Sequence, residues 1–153
     1  MCEPKTNCLV IGIGNEFRSD DSIGILMSRM LRKKLPATIK VAECNGGGVE
    51  LLEIWEDYNN VFIIDAASSG KAPGTILRFD LNKETLPQNA FNYSSHSFSI
   101  SETVELARKL NRLPTRLIIY GIEGKIFEQG TGLSYSFESV CDALLKNLLT
   151  DIQ

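Results

Sequence analysis

One histidine stands in the whole chain, His96, inside the run Tyr93-Ser94-Ser95-His96-Ser97. A single imidazole excludes zinc peptidases of the HExxH type, which place two histidines on one helical face. The four cysteines, Cys2, Cys8, Cys44 and Cys141, include no CxxC pair. Neither a zinc knuckle nor a disulfide framework is therefore expected. Acids offer more. Short apolar runs repeatedly lead into them: residues 8–13 into Asn15, Glu16, Asp20 and Asp21, residues 39–44 at Glu43, residues 61–64 into Asp65, and residues 116–122 into Glu123. An acid at a strand end is commonly a cap or turn former, but several converging on one edge make a candidate site. Asp65 is singled out because VFII carries the chain through a core directly to it, and a carboxylate delivered that way is costly unless something compensates it.

Other chemistries fit less well. A Ser-His-Asp hydrolase could be assembled from a nearby serine, His96 and Asp65, but the chain has no GxSxG elbow. Gly12-Ile13-Gly14 invites a dinucleotide-binding reading. The third glycine of that fingerprint would fall at Phe17, and Glu16, Asp20 and Asp21 would repel a pyrophosphate. The GxxxxGK[ST] pattern is also absent.

The elements that must position these residues alternate between β-rich and helical patterns, as βαβ units do. CLVIGI at residues 8–13 reads as a strand buried on both faces. Ile23, Leu26, Met27, Met30 and Leu31 then form one helical stripe over residues 22–35, with Asp20 or Asp21 as the expected N-cap and Pro36 as the stop. Strands are expected at 39–44, 61–66 (the sheet centre), 75–80 (antiparallel) and 116–122. Helices are expected at 49–58, 99–110 (Ser99 and Glu102 as a capping box) and 136–149. Residues 81–99, rich in Asn, Gln and Ser, read as a long functional loop. The fold class is α/β: three α/β/α layers, with a mostly parallel, twisted sheet of about five strands, spanning residues 1–153 as one domain.

Composition bounds the partners. With 43% hydrophobic and 23% charged residues the chain is globular, and its net charge of -3 argues against a nucleic-acid footprint. The Arg32-Lys33-Lys34 run reads as a solvated helix end. No apolar stretch approaches the ~18 residues that cross a bilayer, so no membrane partner is expected. Reduced thiols and a polar N-terminus suggest the cytoplasm, and a monomer is the expected state. Cys8 and Cys44 read as core residues.

Taken together, GIGNEFRSDDSIG (12–24), GGGVELL (46–52), VFIIDA (61–66), APGTI (72–76), SSHS around His96, YGIEG (120–124) and GTGLS (130–134) resemble the hydrogenase maturation proteases. The resemblance covers nearly the whole chain in order. It implies an aspartic-type endopeptidase that trims the C-terminus of a nickel–iron hydrogenase large-subunit precursor. It implies Asp21, Asp65 and His96 as catalytic and metal-contacting residues, with Asp20 left open as the competing acid. The first position is often Glu in relatives, so Asp21 is a shorter arm. Many relatives also have Asp before the glycine turn, where this chain has Cys44-Asn45. Nickel is expected to arrive with the precursor, and zinc or cadmium would serve as surrogates, since two carboxylates and one imidazole accept such ions and leave the site open. A non-catalytic metal-binding module and a plain protein-interaction module are the alternatives.

Overall fold

A computed structural model of the chain describes residues 7–46, 48–87, 91 and 100–152. Its strands are β1 (Cys8–Ile13), β2 (Lys40–Cys44), β3 (Asn60–Ala67), β4 (Ile76–Asp80) and β5 (Arg116–Glu123). Its helices are α1 (Ile23–Lys34), α2 (Val49–Trp55), α3 (Ile100–Lys109) and α4 (Phe137–Ile152). The sheet runs β2-β1-β3-β5-β4, with β3 at its centre and every pairing parallel except β4 with β5. The expected α/β architecture is present. No described helix is long and apolar enough to cross a membrane.

Alternation along the central strands sorts the core into two faces. Leu9, Ile11, Val61, Ile63, Leu117 and Ile119 meet Leu51, Leu52 and Trp55 of α2 and Val104 and Ala107 of α3. The intervening residues Val10, Phe62, Ile64, Ile118 and Tyr120 meet Ile23, Met27 and Leu31 of α1 and Val140, Leu144 and Leu148 of α4. Both faces of β1, β3 and β5 are thus covered, which is why these strands read as unbroken apolar runs. Trp55 is fully buried and satisfies its indole by donating to Arg112 O at 2.9 Å. At the β2 edge, Arg32 donates to Val41 O at 3.2 Å.

The start of α1 departs from expectation. Neither Asp20 nor Asp21 caps it: a 3-10 turn, Ser19–Ser22, precedes the helix, and Ser22 at the N-cap makes no side-chain capping bond. The capping box expected at Ser99 lies outside the described residues, as does most of the long loop.

The far end of α4 is fastened by one carboxylate. Asp151 accepts a fork from Arg78 of β4 (Nε 2.9 Å, Nη2 2.7 Å), the hydroxyl of buried Tyr120, and Arg116 Nη2 at 3.4 Å. Burial opposes its charge, but the bonds from Arg78 and Tyr120 and the positive charge of Arg78 and Arg116 hold the carboxyl below its ordinary value. A depressed pKa contributes stability above the unfolded value of 3.8, and that contribution disappears as pH falls through the folded value. Asp151→Asn should therefore cost about 1–3 kcal/mol at pH 7, with the difference from wild type closing in acid. Urea unfolding of both proteins at neutral and strongly acidic pH measures it, and an equal gap at both would refute the linkage.

Candidate functional site

The topology itself locates a crevice. From β1 the chain crosses through α1 to β2 on one side, then returns through α2 to β3 on the other side of β1. α1 and α2 pack on opposite sheet faces. The order reversal between β1 and β3 opens a gap beyond their carboxyl ends, the usual ligand position in such sheets. The loop after β1 carries Asp21, and β3 carries Asp65 near its end.

Close backbone packing draws these two segments together. Gly24, three residues past Asp21, is pressed so near the sheet that a Cβ there would lie 2.1 Å from Ile13 O and 2.6 Å from Ile64 O. Ile64 immediately precedes Asp65. Gly12 is equally tight, since a Cβ on it would meet Gly24 O at 2.1 Å. The Gly-Ile-Gly run thus serves helix-on-strand contact, which explains a glycine pattern that resembles a nucleotide fingerprint without being one.

Of the acids at this edge, most are already employed. Glu16 and Glu43 share Arg29, at 3.1 Å each, so they form an exposed bridge between the first loop and β2. Hydrogen bonding to Arg29 holds the Glu43 carboxyl low despite partial desolvation. Glu123, 1% exposed, accepts from Ser69 N, Ser69 Oγ and Gly70 N at 2.6–3.1 Å. It is a turn anchor, the ordinary role of a strand-end acid.

Asp20 is 0% exposed and accepts from Lys125 N (2.7 Å), Ile126 N (2.9 Å), Ser134 N (2.8 Å) and Ser134 Oγ (2.6 Å). Burial raises its pKa, but these amides and the hydroxyl outweigh it and hold the carboxyl below the usual range. The Asp20 carboxylate thus ties the loop after β1 to residues 125–134.

Asp21 and Asp65 are each 3% exposed. Asp21 lines a cleft of about 480 Å³ together with Asn15, Glu16, Arg18, Glu43 and Asn45. Asp65 does not line that cleft; one of its oxygens accepts from Ala66 N at 2.8 Å. By strand alternation it shares the α2/α3 face with Ile63 and Ala67. Cys44 lies close enough for the Asp65 charge to act on it. Burial first, then Glu50 and Asp65, push the thiol up to about 11, and Sγ donates to Gly46 O at 2.7 Å. Cys44 is thus a buried, protonated core residue, as is expected of it. His96, the third residue of the expected site, lies outside the described residues. Among the described residues, no group of three or more His, Cys, Asp or Glu could hold a metal ion by itself.

Residues 25–151 match the family model described as hydrogenase maturation protease. The hydrogenase 2 maturation protease of Escherichia coli is 27% identical over 149 residues, covering 95% of this chain and 90% of the relative. A putative hydrogenase maturation protease of Methanocaldococcus jannaschii is 24% identical, covering 97% and 98%. Among solved structures, the hydrogenase maturating endopeptidase HybD from E. coli superposes with a TM-score of 0.79 at 24% identity, covering 95% of this chain and 91% of that one. The maturation protease HycI from Thermococcus kodakarensis superposes with a TM-score of 0.73 at 17% identity, covering 96% and 92%.

The close approach at Gly24 has a direct test. Gly24→Ala should destabilise the protein by on the order of 3 kcal/mol, because the atoms in the way are rigid strand backbone rather than side-chain tips. Near-wild-type urea unfolding of the variant would show that α1 does not need this approach.

Proposed function

Because the chain belongs to the hydrogenase maturation protease family and is accordingly a peptidase, we propose that it removes the C-terminal extension of a nickel-loaded nickel–iron hydrogenase large-subunit precursor. The observation that supports this most is the placement of Asp21 in the loop after β1 and of Asp65 near the end of β3, on the two strands between which the sheet order reverses. A non-catalytic metal-binding or interaction module loses its ground once the chain is a peptidase.

The reaction is the addition of one water across one peptide bond, leaving a new carboxylate on the mature subunit and a new amine on the released segment. Nickel belongs to the substrate in this reading. Asp21, Asp65 and His96 would hold it, and oxygen and imidazole donors suit nickel. Two described carboxylates fit that role as part of a shell, and three protein ligands leave positions open to the precursor's own groups. Holding it there would dock the loaded C-terminal region beside Asp21, at the cleft that residue lines. Proteolysis is thereby conditional on metal insertion. Zinc or cadmium would occupy the same donors as surrogates.

Asp65→Asn and His96→Ala should each abolish processing, a loss of at least about 100-fold, while circular dichroism stays unchanged. Mass spectrometry of precursor incubated with each variant measures the released peptide. Normal cleavage by a folded Asp65→Asn protein would reduce Asp65 to a turn former.

The origin of the metal gives a second test. An open oxygen- and nitrogen-donor shell without thiolate should bind free divalent ions weakly, so a chelator should barely shift the melting temperature. Nickel-free precursor should remain uncut and nickel-loaded precursor should be processed. Efficient cutting of nickel-free precursor would remove substrate-borne recognition.

A further inference from the structure

We propose that Asp20 is a positioning residue: by gathering residues 125–134 into a strap, it fixes the backbone that aims Asp21 into the crevice. The inference rests on the assignment of Asp21 to the working site. Its observations are geometric. The donors to the Asp20 carboxylate come from 105–114 residues away in sequence, from both ends of the strap: Lys125 and Ile126 at one end, Ser134 at the other. One carboxylate therefore closes the whole segment into a loop.

The strap also grips the segment before Asp21 through its main chain. Ser19 N donates to Gly130 O (3.0 Å), Asp20 N to Ile126 O (2.8 Å), and Gly130 N to Phe17 O (2.8 Å). Ser19 Oγ adds a bond to Glu128 O at 2.9 Å. Ser19 sits at φ 51°, a left-handed conformation that non-glycine residues rarely adopt. The strap is what stabilises it there, and the direction in which the chain leaves Ser19 decides where residues 20 and 21 point. Asp21 then completes the turn, donating its amide to Arg18 O (3.0 Å) and accepting from Asn15 N (3.2 Å).

There is no slack beneath this arrangement. A Cβ on Gly124 would come within 2.7 Å of Asp20 Cβ. Fully buried, Asp20 cannot reach a substrate in the cleft that Asp21 lines. Adjacent acids thus divide the work: one is consumed as an anchor so that the other is held in one orientation.

The test is Asp20→Asn, which keeps the side-chain shape and presents an amide group to donors. Three readouts are needed: amide hydrogen exchange, titration with cadmium chloride, and kinetics on nickel-loaded precursor. Faster exchange is expected at residues 17–22 and 125–134 with the central strands unchanged. Cadmium affinity and kcat should each fall 10–100-fold, the usual loss when a residue supporting a metal ligand is removed, and KM for the nickel-loaded precursor should rise, because the same ligands hold its nickel. Unchanged cadmium affinity and kcat in a variant with a loosened strap would overturn the proposal, since that is what a purely structural anchor gives. Losses that only track the unfolded fraction would also overturn it. Should Asp20→Asn fail to fold, Ser134→Ala removes one donor and leaves the carboxylate: a several-fold loss in the same readouts supports the proposal, and wild-type values overturn it. If the wild-type protein neither binds cadmium nor cuts precursor, the proposed function fails. The Asp21 amide then decides the positioning alone, supporting it if exchange there quickens and overturning it if only the strap responds.

Discussion

The contact on which the rest depends is backbone against backbone: the first turn of α1 lying directly on β1 and β3 at Gly24. Helices pack on sheets through side chains, at separations those side chains set. Here the absence of side chains on Gly12 and Gly24 removes that spacer, and the segment ahead of α1 drops against the sheet's carboxyl edge. Asp21 is carried down with it, towards the strand that bears Asp65. A side chain at either glycine would push the whole first loop outward before any chemistry could be considered.

Around that contact the acids are organised by what they accept. Backbone amides converge on Asp20 and Glu123, guanidinium groups on Glu16 and Glu43. The first pair is buried, the second half-exposed and partly screened by solvent. Loops that could otherwise fray are thereby tied to the sheet edge at fixed points: residues 69–70 to β5, and residues 125–134 to the loop after β1. A rim of that kind keeps the crevice open in one shape, which is what a site needs if it is to discriminate a loaded from an unloaded partner.

The strands and helices were legible because their signals are local. Apolar runs such as LVIGI and VFII report burial on both faces, and the 23-26-27-30-31 stripe reports a helix face. Asp20 shows where that legibility ends. Its position before a helix reads as a cap, yet its partners lie more than a hundred residues away, and no local pattern encodes such a pairing. Glu123 was equally ambiguous as a strand-end acid until Ser69 and Gly70 were seen to fold back onto it. The fold followed from periodicity; the division of labour among the acids followed only from tertiary contacts. The place of His96 in the site still stands on its sequence context and the resemblance.

Strand order also bears on how the chain comes together as it is made. β1, β2 and β3 are neighbours in space and successive in synthesis, so half of the sheet can assemble with α1 and α2 already covering it. β4 cannot join them. Its neighbour is β5, which emerges some forty residues later and must insert between β3 and β4. Until β5 is made, β4 has no partner strand to pair with, and α4, later still in the chain, cannot cover Phe62 and Ile64. The half-exposed, alternating residues of β4, with Arg78 among them, make that wait safe, because a charged, partly polar strand is a poor template for pairing with other chains.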